Sequence, residues 1–467
     1  MRTREDTMQN DAYTTNTQAR KKKSPLVPIL IILAVLAAAA FAAFKYYPGM
    51  KAKTEVENFF KNIEGIELSS YDGVDYDTLS KTLVVTNMVI TPQENDELKA
   101  MRIERLELVE PDAEAFRKLS LSKGDFSKMP SFESYARDIT ITGFQGVFED
   151  SPQTPAMGIE TFRLAGIQKG SFGEILVQGL TFSIPEEGML FSMDTFSSEN
   201  INYQKIVDYI NFALSGTNPQ VAMSPNPITY DTMSLKGYRL AFAEFELWIE
   251  NMEATNPVID NGNTIDSVFK LTNLGADMEK IPDAEISEMF GFLGLLKPSL
   301  NMDMKAAMDV PSGHYDLSRS VIELVDQAVL SFNLEMDNFF MPALMDSMMN
   351  PYGAYEKARL IQCNIDFNFT NPELPDKILE LIALTEGMER EEFREKILAE
   401  FLQGLDNPEI PDSIRQTMAP LADFIRDPKS LAISIQPTEP LAGEVFFNNP
   451  DPAAIFKDLN ITLTVNQ

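Results

Sequence analysis

One uncharged segment near the start of the chain constrains it most. Residues 26–44 form a run of nineteen residues without a charged side chain. A helix rises about 1.5 Å per residue, so this run nearly crosses the ~30 Å hydrocarbon core of a bilayer. We therefore predict a disordered tail at residues 1–23 and a transmembrane signal anchor at residues 24–45.

The charges that flank this segment predict its orientation. Four basic residues stand immediately before it, namely Arg20, Lys21, Lys22 and Lys23, and only Lys45 follows it directly. Basic residues are retained on the cytoplasmic side of a spanning helix. The expected location is the cell inner membrane, with a single pass and a periplasmic C-terminal domain.

A cleaved signal peptide is the competing interpretation of the same segment. The small residues Ala40 and Ala42 could satisfy the rule for a cleavage site. The apolar run is longer than the usual core of a signal peptide and the tail before it is long, so we favour an uncleaved anchor.

Acidic residues dominate the chain beyond the anchor. The net charge is −31, and of 70 acidic residues only three lie within the first fifty positions. A surface this negative repels phosphate groups, which argues against nucleic acid as a partner.

Short β-branched segments bounded by turn residues predict a strand-rich domain. Residues 82–90 are an example, ending before Pro92. Further strands are expected at residues 100–108, 135–142, 159–164, 180–184, 190–194, 229–235, 238–251 and 264–272, with one helix at 203–214 and a boundary loop at 216–227.

Two regions share a weak sequence similarity that suggests a division of this domain. Residues 76–90 and 315–330 each look like a strand, a polar turn and a returning strand. We therefore predict an exported β-rich unit at residues 46–220 and a second β-meander unit at 221–340.

The last third of the chain has helical periodicity. Helices are expected at residues 376–384, 391–405 and 412–425, followed by strands at 431–435 and 459–465. Residues 341–467 would then form a C-terminal helical or α/β cap. The predicted fold class is α+β: an N-terminal transmembrane helix, curved antiparallel β-meander units and this cap.

Few side chains could support catalysis. His314 is the single histidine and Cys363 the single cysteine, and no G-x-S-x-G motif occurs. This inventory excludes the usual zinc and copper sites. Residues 72–77 and 260–263 resemble fragments of calcium loops but lack the full spacing. We expect neither an enzyme nor a cofactor; a hydrolase that uses carboxylates alone is the weaker alternative.

The overall pattern resembles that of AsmA-like and YdgA-like bacterial envelope proteins. The resemblance rests on the N-terminal anchor, on the segment at residues 76–81 soon after it, on repeated short β-pairs and on the ending at residues 424–435. It implies a role in the cell envelope without catalytic residues, since AsmA-like relatives are implicated in phospholipid movement.

The content of flexible apolar side chains also favours a role that involves lipid. The chain has 31 Phe and 24 Met, most densely at residues 339–349, and such side chains can line adaptable binding surfaces. The leading hypothesis is an envelope protein that binds or moves lipid or another hydrophobic ligand, with Phe242, Phe332 and Leu334 as candidate lining residues. The alternative is a scaffold that binds envelope proteins through sheet edges or the C-terminal helices.

Overall fold

Antiparallel strands make up most of the chain in the computed structural model. The structure describes residues 66–466, except for residues 78, 93–97, 111–135, 149–155, 169–170, 186–187, 203–229, 257, 260–263, 310, 340–356, 444 and 446–451. The predicted anchor, its basic flank, the helix at 203–214 and most of the methionine-rich segment lie outside the described residues. Within them, no helix has the length and apolar character needed to cross a membrane.

The described residues contain nineteen strands that belong to one sheet. Their bounds are β1 Ile66–Ser70, β2 Gly73–Asp77, β3 Thr82–Pro92, β4 Leu98–Val109, β5 Asp138–Phe148, β6 Ala156–Ala165, β7 Ser171–Ile184, β8 Met189–Asn202, β9 Tyr230–Phe242, β10 Phe245–Asn256, β11 Val258–Ile259, β12 Thr264–Ala276, β13 Ser299–Asp309, β14 His314–Leu324, β15 Ala328–Asp337, β16 Arg359–Phe369, β17 Ser430–Ile435, β18 Leu441–Ala442 and β19 Ile461–Val465.

The strands follow one another across the sheet in chain order, and every pair is antiparallel. From β3 to β10, each strand pairs with the next, and the pairing continues from β10 through β12 to β16, β17 and β19. β1 and β2 share one position beside β3, β11 extends β10, and β18 extends β17. The nineteen strands therefore fill sixteen positions in an uninterrupted meander.

The helices lie in the connections between strands. The described α-helices of six or more residues are α1 Ala284–Leu293, α2 Leu374–Thr385, α3 Arg390–Leu405, α4 Asp412–Met418, α5 Leu421–Arg426 and α6 Pro452–Leu459. α1 lies between β12 and β13, and α2 to α5 lie between β16 and β17. The helices predicted in the last third are thus present, with the third of them divided at Ala419 and Pro420.

The predicted fold class is wrong. We expected two meander units and a separate α/β cap, but one large antiparallel sheet runs through all three regions, and the last strands, β17 and β19, extend it. Residues 76–90 and 315–330 each contain a strand, a turn and a returning strand, namely β2 and β3 in the first region and β14 and β15 in the second, but both regions belong to the same sheet. Local patterns place turns but do not show where one sheet ends.

The long strand predicted at residues 238–251 is wrong as well. The chain turns at Ala243 and Glu244, and Phe242 of β9 pairs with Phe245 of β10. Apolar residues continue on both sides of this two-residue turn, so composition alone did not reveal the hairpin.

Candidate functional site

One face of the sheet carries an unbroken row of apolar side chains. Partners in antiparallel register project from the same face, so the row can be followed from strand to strand. From β3 to β19 its members are Val85, Leu106, Ile141, Phe162, Val177, Phe196, Leu235, Met252, Leu271, Met302, Ile322, Leu330, Phe367, Leu431 and Val465. We call these residues the apolar row and the face that carries them the apolar face.

The opposite face is polar. Beside the apolar row, a second set of register partners runs from β3 to β12 and consists of Thr86, Arg105, Thr142, Thr161, Gln178, Thr195, Lys236, Asn251 and Thr272. Alternation along each strand therefore separates the two kinds of side chain over most of the sheet. We call this second surface the polar face.

Exposure divides the apolar row into two parts. Val85, Leu106 and Ile141 are at most 1% exposed and belong to the buried core. From Phe162 onward the members of the row are half-buried, except Leu271 at 6%. The apolar face is thus ordinary core at β3 to β5 and partly accessible from β6 to β19.

Residues with an irregular backbone conformation lie at corresponding positions of several strands across the middle of the sheet. In β5, β7 and β9 a glycine with positive φ interrupts the alternation: Gly143, Gly179 and Gly237. Asn87 of β3 and Asn273 of β12 have the same conformation. Two consecutive residues face away from the apolar row at each position, and at the three glycines the pairing register is the same before and after it. We call these positions bulges for brevity, although neither strand carries the extra residue of a true β-bulge.

Acidic side chains lie directly over these glycines. A Cβ on Gly237 would come 2.1 Å from the Asp194 carboxylate, and one on Gly143 would come 2.4 Å from Glu104. At Asn273 the side chain instead donates a 3.2 Å hydrogen bond to Glu250. Glycine is therefore required for conformation and for space at the bulges of β5 and β9.

All three predicted lining residues project from the apolar face. Phe332 and Leu334 follow Leu330 of the row along β15 at two-residue intervals, and Cys363 of β16 pairs with Leu334. Phe242 ends β9 at 37% exposure. The structure brings Phe332 and Leu334 together but leaves Phe242 several strands away.

The two unique reactive side chains lie on opposite faces. Cys363 is half-buried on the apolar face, and burial raises the pKa of its thiol, which disfavours the reactive thiolate. His314 begins β14 on the polar face, where its Nδ1 lies 2.8 Å from Asp337 Oδ1. Among the described residues the imidazole of His314 is hydrogen-bonded to Asp337 and to no nucleophile, since the Ser312 hydroxyl accepts from the backbone amide of His314 instead. No group of His, Cys, Asp and Glu in this part of the chain could hold a metal ion.

Turn chemistry accounts for the described calcium-like fragment. Asp77 Oδ1 accepts a 2.8 Å hydrogen bond from the Leu79 amide, and Asp77 Oδ2 accepts one from the Ser80 hydroxyl. These bonds lower the pKa of the Asp77 carboxyl, and they close the turn between β2 and β3. The second fragment, residues 260–263, lies outside the described residues.

The polar face has a depression near its C-terminal end. A cavity of about 310 Å³ is lined by Asn333 of β15, Asn364 and Asp366 of β16, Ala432, Ile433 and Ser434 of β17, and Thr462 and Thr464 of β19. Asn364 Nδ2 donates to Asn333 Oδ1 at 2.8 Å, and Ser434 Oγ donates to Asn364 Oδ1 at 2.6 Å. No local sequence pattern indicates this site, because its residues come from four strands between Asn333 and Thr464.

Comparisons with known proteins add little. A family model described as an uncharacterized protein matches residues 321–466, which run from β14 to the residue after β19. No curated protein matches the chain.

Proposed function

We propose that this chain is a membrane-anchored, non-enzymatic protein of the cell envelope whose apolar face binds the acyl chains of lipids. The observation that carries the proposal is the apolar row, unbroken across the sheet and half-buried from β6 onward. Soluble proteins rarely leave a long, contiguous apolar surface accessible unless it binds something.

The dimensions of the accessible surface suit an acyl chain. From Phe162 in β6 to Leu431 in β17 the row crosses eleven positions, which at about 4.8 Å between strands is roughly 48 Å. One acyl chain spans about half of a ~30 Å bilayer core. Burial of each methylene contributes about 0.8 kcal/mol, so a fraction of the row is enough to retain a lipid.

The predicted anchor supports a location at the inner membrane, with the sheet in the periplasm. The uncharged segment at residues 26–44 would tether the sheet beside a source of lipid. The resemblance to AsmA-like envelope proteins agrees with this role. The half-buried Cys363, on the apolar face, contributes as a small apolar side chain to the same surface.

Lipid extraction from the purified full chain tests the proposal. We expect native mass spectrometry and organic extraction to find bound phospholipid. Leu235→Asp and Phe332→Asp, which place charges on the apolar face, should each reduce the bound amount severalfold, because an acyl chain cannot solvate a carboxylate.

Ser234→Asp is the matched control. Ser234 precedes Leu235 on β9 but projects from the polar face, where its register partner is Ser197. This variant should retain the lipid of the unaltered protein. Lipid-free protein, or equal loss in Leu235→Asp and Ser234→Asp, would contradict the proposal.

A protein-interaction scaffold is the second candidate, and exposed apolar side chains on the helices favour it. Leu384 at the end of α2 is 65% exposed, Ile382 is 44% exposed and Phe292 of α1 is 39% exposed. α1 and α2 contact each other, so these side chains belong to neighbouring helices. Lipid-free protein that loses its envelope partners on Ile382→Asp would favour the scaffold over lipid binding.

A further inference from the structure

We infer that the cavity on the polar face, between β15 and β19, binds a neutral saccharide. The inference is independent of lipid binding, because the cavity opens on the face opposite to the apolar row. Two neighbouring rows of register partners build it. The first row is Asn333, Asn364, Ser434 and Thr462, and the second is Ser331, Asp366, Ala432 and Thr464.

The first row presents a fixed set of amide and hydroxyl groups. Two hydrogen bonds orient Asn364, since its Nδ2 donates to Asn333 and its Oδ1 accepts from Ser434. Because Oδ1 of Asn333 accepts the hydrogen bond from Asn364, both hydrogens on Nδ2 of Asn333 remain available for donation to a ligand. These bonds pre-organise the amides before a ligand arrives, which reduces the entropic cost of binding.

The second row forms the depression at Ala432 and contains a hydrogen-bond acceptor, the Asp366 carboxylate. Ala432 lies between Asp366 and Thr464, and its short side chain leaves room that the flanking side chains surround. Among the described residues, no hydrogen bond or ion pair engages the Asp366 carboxylate or the hydroxyls of Thr462 and Thr464. Acceptors and donors therefore remain available side by side.

The chemistry of the lining selects the ligand class. Among the described residues neither lysine nor arginine lines the cavity, so a phosphate would meet the Asp366 carboxylate without compensation. The described lining contains no aromatic side chain either, which disfavours nucleobases. An ammonium group only donates and would leave the Asn333 donors unmatched, whereas sugar hydroxyls both donate and accept. At about 310 Å³ the cavity is at the small end of ligand sites.

Titration of the purified full chain with neutral disaccharides tests the inference. Maltose, cellobiose and N,N′-diacetylchitobiose are the probes, observed by saturation-transfer NMR and calorimetry. We expect at least one to bind with a dissociation constant in the millimolar range, since a small polar contact leaves little surplus free energy. Glucose 6-phosphate should bind more weakly than glucose.

Two variants and one control connect binding to the cavity. Asp366→Ala should weaken binding about tenfold, as expected for the loss of hydrogen bonds to a charged group. Ala432→Leu keeps every polar group but fills the depression, and should weaken binding at least as much. Asn368→Ala, on the same strand and face but outside the lining, should leave binding unchanged.

Three results would overturn the inference. The first is no binding of any neutral disaccharide to the unaltered chain, and the second is undiminished binding in both Asp366→Ala and Ala432→Leu. The third is spermidine binding in the cavity in preference to the sugars, which would identify a cation site. Thermal unfolding of each variant checks that its fold is retained.

Discussion

The pKa of a side chain on the polar face depends on the charged residues of the neighbouring strands, as His314 illustrates. His314 lies in register with Asp309 of β13 and beside Asp337 of β15. Its Nε2 is also 3.8 Å from Glu335, and Asp316 follows on its own strand. The hydrogen bond with Asp337 raises the pKa of the imidazole, opposed by partial desolvation and supported by the charges of Asp337, Glu335 and Asp316.

This raised pKa predicts a pH dependence of stability. The folded protein binds the His314 proton more tightly than the unfolded chain, in which the pKa of histidine is about 6.5. The stabilising contribution is therefore complete below about pH 6.5 and is lost as the pH rises through the higher folded pKa. Because the imidazole is well exposed, we expect less than about 1 kcal/mol.

Urea unfolding at about pH 5 and about pH 9 measures this dependence. His314→Gln should remove part of the decline in the free energy of unfolding between the two values. An identical decline in the variant would show that other groups account for it.

At the scale of a strand, a bulge determines which face of the sheet the following residues occupy. The residue before each positive-φ position is polar, as at Thr142, Gln178 and Lys236, and apolar residues resume immediately after the glycine. Without the bulge, strict alternation would turn the second half of each strand toward the polar face. The bulge thus keeps the apolar face continuous along every strand that has one.

Replacement of a bulge glycine tests this role. Gly237→Ala should lower the free energy of unfolding by at least about 1–2 kcal/mol, because φ is +61° and the new Cβ would collide with Asp194. Gly404→Ala is the matched control: Gly404 lies in α3 with nothing within 4 Å of a new Cβ, so the change should stabilise by about 0.5–1 kcal/mol. Chemical denaturation measures both, and equal effects would refute the requirement for glycine at 237.

The location that we propose for the whole molecule rests on the predicted anchor. All but three of the 70 acidic residues follow position 50, and the basic residues that would orient the chain precede the uncharged segment. On this arrangement the apolar face would be held outside the cytoplasm, next to the membrane from which lipid would come.

A reporter fused after Gln467 checks this topology. A reporter active only outside the cytoplasm should be active there, and one active only inside should be silent. Neutral residues in place of Arg20, Lys21, Lys22 and Lys23 should weaken the orientation. Access to the C-terminus from the cytoplasm in the unaltered protein would show that the charge argument is wrong.

Short-range patterns in the sequence were sufficient for much of this protein. Most strands and the helices of the last third follow from local periodicity, because alternation and helical spacing each act within a few residues. The same alternation placed Phe332 and Leu334 on one face of their strand. The positions of Gly143, Gly179 and Gly237, each between a polar and an apolar residue, could also have revealed the bulges.

Only the tertiary structure decided that the strands form one sheet. Neighbouring strands pair through backbone groups that every residue carries, so the sequence does not say where a meander stops. The apolar row joins residues from Val85 to Val465, and the cavity joins Asn333 to Thr464. Both sites exist because register aligns side chains that are far apart in the chain, and register is a property of the assembled sheet.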